Sequence, residues 1–250
     1  MRHTRRDARE TPAPYHLRVI LRFGRMRIVR TVVVAVLATA AVPALALAQR
    51  AAAAGFDNGW FWGAKGGITR FDAIDTQTGE FETVNATTVG GEWLITRSRG
   101  GLYLSVEQAF FDEVSAVFDP TAPGSARAVD ISDMRRYHVG VLAFPVSWSG
   151  ARPYLGVGYA VNVIQNAAPR GTFSSEGAMD SVFTRVDRQS TRASFVITAG
   201  IQAHVGDRWA LFAQAATMPT RDNFLINGSS NTMMFEGGIR YRISDAIEKW

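Results

Sequence analysis

Met233-Met234-Phe235-Glu236-Gly237-Gly238-Ile239-Arg240-Tyr241-Arg242-Ile243 reads as one extended segment with two unlike faces. Side chains of a strand point alternately to opposite sides. Met233, Phe235, Gly237, Ile239, Tyr241 and Ile243 therefore share one face, and Met234, Glu236, Gly238, Arg240 and Arg242 share the other. The first face is apolar enough to be buried, while the second carries three charges. That contrast suits a wall between hydrocarbon and a polar interior.

Two further stretches repeat the pattern. Leu155, Val157, Tyr159, Val161 and Val163 oppose Gly156, Gly158, Ala160 and Asn162, and Phe195, Ile197, Ala199, Ile201 and Ala203 oppose Ser194, Thr198, Gly200, Gln202 and His204. Weaker alternation at 58–70, 85–96, 101–111, 133–145 and 209–218 brings the total to eight strands. Each is near the roughly 10 residues a tilted strand needs to cross a bilayer. Gly is scattered through these apolar segments, which disfavours long helices. The expected fold is all-β: an eight-stranded antiparallel up-and-down transmembrane β-barrel, with a narrow polar lumen filled by side chains.

The connections support that fold by alternating long and short, at 71–84, 97–100, 112–132, 146–152, 165–191, 206–208 and 219–231. Membrane barrels have long loops at one end and short turns at the other. Trp60, Trp93, Tyr103, Trp148, Tyr154, Trp209 and Tyr241 lie near the strand ends on the short-turn side, where an amphipathic ring is expected at headgroup level. Phe71, Phe110 and Phe111 are expected to form the opposite girdle.

Upstream, Arg22, Arg25, Arg27 and Arg30 precede an apolar run from Thr31 to Val42, then Pro43 and the small-residue site Ala46-Leu47-Ala48. This is the order of a secretory signal peptide, with cleavage expected before Gln49. Residues 1–48 are thus read as an N-terminal extension and leader, and 49–250 as the barrel domain. Met26 offers an alternative translation start to Met1. The leader holds nine of the 27 basic residues and two of the 22 acidic ones. The remainder has 18 basic and 20 acidic residues, a net charge of −2. The high isoelectric point is therefore no argument for nucleic-acid binding. The absence of Cys excludes disulfides, thiolate metal sites, a Cys nucleophile and a lipoprotein anchor.

Gly59-Trp60-Phe61-Trp62-Gly63-Ala64-Lys65-Gly66-Gly67, Arg152-Pro153-Tyr154-Leu155-Gly156-Val157-Gly158-Tyr159 and Phe235-Glu236-Gly237-Gly238-Ile239-Arg240-Tyr241-Arg242-Ile243 resemble the outer-membrane β-barrel domain family of small OmpA- and OmpW-like proteins. The likeness spans roughly 56–243 and is one of pattern. It implies an outer-membrane location, contact with outer-membrane lipid, and a C-terminal signal for the barrel-assembly machinery carried by Glu236, Gly238, Tyr241 and Ile243. Trp250 offers a substitute terminal aromatic.

Lys65, Glu92, Glu107, Arg136, Glu236, Arg240 and Arg242 fall on expected inner faces. Buried ions must pair, so a static luminal network is expected, with a gate that re-pairs as the sharper alternative. The expected role is structural, adhesive or that of a small-solute pore, with no cofactor, no metal and no enzyme activity. A lipid A deacylase-like barrel would need a Ser, His and carboxylate together, and after the leader only His138 and His204 are available. A soluble lipocalin-like carrier would turn its apolar face inward. Gly63-Ala64-Lys65-Gly66-Gly67 lacks the spacing of a phosphate loop. Asp72, Asp75, Glu80 and Glu82 lack the ligand order of a Ca²⁺ loop. Any extracellular ligand is expected at the long loops, 165–191 above all.

Overall fold

The structure, a computed structural model, describes residues 56, 58–74, 81–148, 150–219, 223–226 and 231–245. The leader, Met26, Asp75, Glu80 and Trp250 lie outside the described residues. Eight strands run β1 (Asn58–Ile74), β2 (Phe81–Arg97), β3 (Gly100–Phe118), β4 (Ala126–Ala143), β5 (Ala151–Pro169), β6 (Thr191–Val205), β7 (Trp209–Pro219) and β8 (Asn231–Asp245). Each pairs antiparallel with the next, and β8 pairs with β1 to close the barrel.

The register fixes the stagger. Trp60 pairs with Ile95, and the path continues through Leu102, Val141, Val157, Ile197, Thr217 and Met233 to Arg70. One circuit thus returns to β1 ten residues along from Trp60. Such a stagger tilts the strands and gives eight of them an interior just wide enough for side chains.

The alternation read from the sequence is the alternation observed. Leu155, Val157, Tyr159, Ile197, Phe235, Ile239 and Ile243 are exposed on the outer wall, and Asn162, Thr198, Gln202, Glu236 and Arg240 are buried within. An apolar exterior around a polar interior is the arrangement of a membrane barrel and the inverse of a lipocalin-like carrier. Among the described residues no helix is long and apolar enough to cross a membrane. The crossing is made by strands.

Three features differ from expectation. The strands are longer, at 15 to 19 residues except for β7, so the expected long loops begin several residues later than their composition suggests. Register shifts on β3 and β4, between Ala109 and Asp112 and around Asp130 to Met134, let pairing continue past the apolar belt. Second, the 165–191 connection is largely a helix, α1 (Glu176–Ser190). Ser175 caps it by accepting from the Ala178 N–H at 3.2 Å, and Val182 and Val186, four apart, form its buried side. Third, Phe71 points into the barrel instead of joining a girdle, and Phe111 packs on it at 5.1 Å, whereas Phe110 faces outward as expected.

The interior has three layers. At the short-turn end Phe56, Phe61, Leu94, Tyr103, Leu142, Phe144 and Tyr154 form an apolar cluster. At the loop end Phe71, Val117, Val129, Ile131 and Met134 pack with Val182 and Val186 of α1 and with the inserted segment Phe224-Leu225-Ile226. Between them lie the charges.

Candidate functional site

Lys65 on β1 is 6% exposed and reaches across the lumen to four partners. Its Nζ donates to Tyr103 OH at 2.9 Å, Ser105 Oγ at 3.3 Å, Glu236 Oε2 at 3.1 Å and, most closely, to Glu107 Oε1. Arg136 on β4 donates through Nη1 to Glu107 Oε2 at 2.7 Å, through Nε to Asn162 Oδ1 at 3.1 Å and through Nη2 to Thr69 Oγ1 at 3.1 Å. Glu236 also accepts from Gln214 Nε2 at 2.6 Å.

A second node lies nearer the short turns. Arg240 Nε donates to Glu92, its Nη1 donates to Gln202 Oε1 at 2.5 Å, and its guanidinium lies 4.0 Å from the Phe212 ring centre. Tyr103 joins the two nodes by accepting from Lys65 and donating to Glu92 Oε2 at 3.0 Å. Three cations, Lys65, Arg136 and Arg240, thus balance three carboxylates, Glu92, Glu107 and Glu236. Balance matters here because an unpaired ion in such a place costs several kcal/mol.

Alternation brings six of the seven expected luminal charges together. Arg242 is the exception: it lies at the barrel rim and pairs with Asp245, because β8 ends there and its inward side is open to solvent. Two of the expected interface aromatics are also corrected. Tyr103 and Tyr154 are each 1% exposed and point into the lumen, and the Tyr154 hydroxyl donates to Gln214 Oε1 at 2.9 Å. Their positions along the strands match a girdle, but each has the lumen-facing parity of its strand. Trp60, Trp93, Trp209 and Tyr241 do face outward, with Trp60 and Trp93 ring centres 5.3 Å apart and Trp209 and Tyr241 4.7 Å apart. Trp148 is exposed in the β4–β5 turn. Trp62, absent from the expected belt, adjoins Trp93 at 6.1 Å, and its parity with Trp60 was the signal for it.

The C-terminal segment divides by face. Tyr241 and Ile243 lie on the outer wall, while Glu236 and Gly238 face the lumen. A Cβ on Gly238 would stand 2.2 Å from the Ala64 carbonyl oxygen, so this position on the β8–β1 seam admits only glycine.

The sequence did not mark the plugs. Phe56 folds into the short-turn mouth, its ring centre 5.1 Å from those of Phe61 (tilted) and Phe144 (edge-on) and 4.8 Å from that of His204 (edge-on), with Thr96 Oγ1 donating to its carbonyl at 2.5 Å. At the other mouth Leu225 N donates to Gln189 O at 3.0 Å, and Ser115 Oγ to Leu225 O at 2.5 Å, pinning the inserted segment to α1 and β3. His138 lies edge-on to Tyr103 at 5.2 Å; Ser105, its register partner, turns its hydroxyl to Glu107 at 2.7 Å instead. Among the described residues no group of His, Asp and Glu has the arrangement of a metal site.

These features define a transmembrane β-barrel whose central charges pair with one another between two largely apolar clusters, with Arg152 buried against the Phe56 ring at 4.8 Å in the cluster nearer the short turns. The chain is similar to the Neisserial surface protein A, with 13% identity over 74% of this chain and 97% of that one and a TM-score of 0.48. It is also similar to Ail, the attachment invasion locus protein of Yersinia pestis, with 13% identity, 74% and 99% coverage and a TM-score of 0.40. The E. coli outer membrane protein W matches with 14% identity, 75% and 100% coverage and a TM-score of 0.40. No protein-family model and no curated protein matches the chain.

Proposed function

We propose that this chain is a non-conducting, non-catalytic barrel of the outer membrane, anchored in its lipid by the apolar wall and presenting the loop end outward as a structural or adhesive surface. One observation carries the proposal: the lumen is stoppered at both ends, by Phe56 with Phe61 and Phe144 at one and by α1 with Phe224-Leu225-Ile226 at the other. A pore needs a continuous polar path, and apolar layers on both sides of the charge network oppose one. Catalysis is disfavoured by Ser105 turning away from His138. Export by the leader and insertion by the barrel-assembly machinery belong to the same proposal.

The test is planar-bilayer recording of the refolded protein. Silence across the accessible voltage range is expected, and discrete unitary steps would overturn it. A second reading has one observation in its favour, namely that Glu107 and Glu236 share Lys65, so that a rearrangement can exchange partners without unpairing a charge. Steps in wild type that Glu92→Ala alters would favour this gate.

A further inference from the structure

Exposed arginines and interface aromatics are unevenly spread around the short-turn rim. Trp60, Trp62, Trp93, Trp209 and Tyr241 all face outward on β7, β8, β1 and β2, the four strands that meet at the closing seam. Arg97 at the end of β2, Arg99 in the next turn and Arg208 in the β6–β7 turn are exposed on the same arc. Among the described residues the opposite arc, β3 to β6, carries Leu102, Val141, Leu155 and Ile201 on its outer wall near that end, with Trp148 in the β4–β5 turn as its single exposed aromatic ring and no exposed arginine in that turn. A uniform girdle for general membrane anchoring needs no such one-sidedness.

The register places these groups at one depth. Asn58 pairs with Arg97 and Trp60 with Ile95 across β1 and β2, and Gly59 pairs with Asp245 across the seam. Arg208 accepts from Arg242 N through its carbonyl at 2.7 Å and donates through Nη1 to Tyr241 OH at 3.1 Å, which holds its guanidinium beside the Trp209 and Tyr241 rings. Arg97, Arg99 and Arg208 make no ion pair among the described residues. Arg242 is already paired with Asp245, which leaves Asp207, among the described residues, as the one exposed unpaired carboxylate beside the three. The described groups of the rim therefore carry more positive than negative charge where the aromatic rings are densest. Above it the wall is smooth, with Ala64, Gly66 and Gly91 facing outward.

We infer that this arc binds the headgroup of an anionic phospholipid, with Arg97, Arg99 and Arg208 on the phosphates, the Trp and Tyr rings at glycerol level, and the acyl chains against the smooth wall. The chemistry matches because clustered arginines at an interface attract anionic headgroups. Arg in particular offers a planar fork to phosphate oxygens. The inference rests on the membrane reading above and is independent of whether the barrel conducts.

Four of the six tryptophans stand on this arc, so their fluorescence reports its lipid neighbours. The refolded barrel is reconstituted in phosphatidylcholine vesicles containing a minor fraction of brominated phosphatidylglycerol or, in parallel, brominated phosphatidylcholine. Stronger quenching by the anionic lipid is expected, equivalent to a relative association on the order of tenfold. The triple variant Arg97→Gln, Arg99→Gln, Arg208→Gln should bring the two lipids level while keeping heat-modifiable gel migration. Arg70→Gln with Arg135→Gln, exposed near the loop end, should keep the preference. Equal quenching in wild type, or an undiminished preference in the triple variant, overturns the inference. So does a cross-linked dimer through Trp62→Cys with no lipid preference, since the arc would then be a contact between two copies. Quenching by neither lipid would remove the membrane reading itself.

Discussion

Arg136 and Glu107 face each other directly across the β3–β4 register, and the guanidinium Nη1 donates to Glu107 Oε2 at 2.7 Å. The other carboxylate oxygen takes Lys65. Glu107 thus neutralises two cations, Arg136 from the neighbouring β4 and Lys65 from β1 across the lumen, which makes it the hub of the interior.

Glu107→Gln keeps the shape and removes the charge, leaving Lys65 with Glu236 alone and Arg136 with neutral acceptors. Breaking a buried pair from one side costs about 3–5 kcal/mol. The variant should unfold at lower urea than wild type, followed by loss of the compact band on an unheated gel. Arg136→Met combined with Glu107→Gln should recover part of the loss.

The two kinds of aromatic residue separate by mutation. Tyr103→Phe removes the hydroxyl that links Lys65 to Glu92 and should cost about 1–3 kcal/mol. Trp209→Phe, half exposed on the outer wall, keeps an apolar ring at the interface and should change stability by less than about 1 kcal/mol. Equal losses in urea titrations would contradict the luminal placement.

Val186→Asp puts a charge into the apolar cluster beneath α1, where Val186 is 4% exposed. The helix should leave the mouth while the barrel persists, because the strands do not depend on it for their hydrogen bonds. Limited trypsin digestion should then cut rapidly at Arg185 and Arg188, with the transmembrane fragments still heat-modifiable. Unchanged protection would show that α1 is held by something other than its apolar side.

Acid should loosen the loop after β3. Asp119 accepts from Arg127 Nε at 2.6 Å and from Thr121 N and Oγ1 at 2.9 and 2.7 Å. The Arg127 hydrogen bond first, and the Thr121 hydroxyl next, hold its carboxyl down at about 2. A depressed carboxyl favours the folded loop above the ordinary aspartate value near 4, and that contribution disappears as pH falls through about 2. Amide exchange of residues 119–127, measured against pH, should accelerate at that acid limit. Asp119→Asn should exchange faster at neutral pH and show no acid step.

Much of the barrel was legible because its signal is local. Glu236 and Arg240 on one face and Phe235, Ile239 and Ile243 on the other declare a wall between two media, and the structure keeps every one of them on the expected side. Tyr103 and Tyr154 depart from the expected girdle because strand parity, not nearness to a strand end, decides which medium a side chain meets. Arg242 departs in the opposite way: its parity is luminal, but it lies beyond the enclosed length of β8. The helix within 165–191 is absent from the sequence reading although Ser175 as a cap and Val182 with Val186 four residues on carry a local signal for it, and nothing local marks its place in the mouth.

The sequence by itself determined the strand period, the two faces and the pool of charges inside, because hydrocarbon and a polar interior impose opposite demands on successive residues. Only the tertiary structure decided which charges meet, since Lys65 and Glu236 lie 171 residues apart in sequence and come within 3.1 Å through barrel closure. The same closure decided that Phe56 and Phe224-Leu225-Ile226 become stoppers. An apolar residue outside a strand carries no mark of the mouth it will fill until the ten-residue stagger has set the width of that mouth.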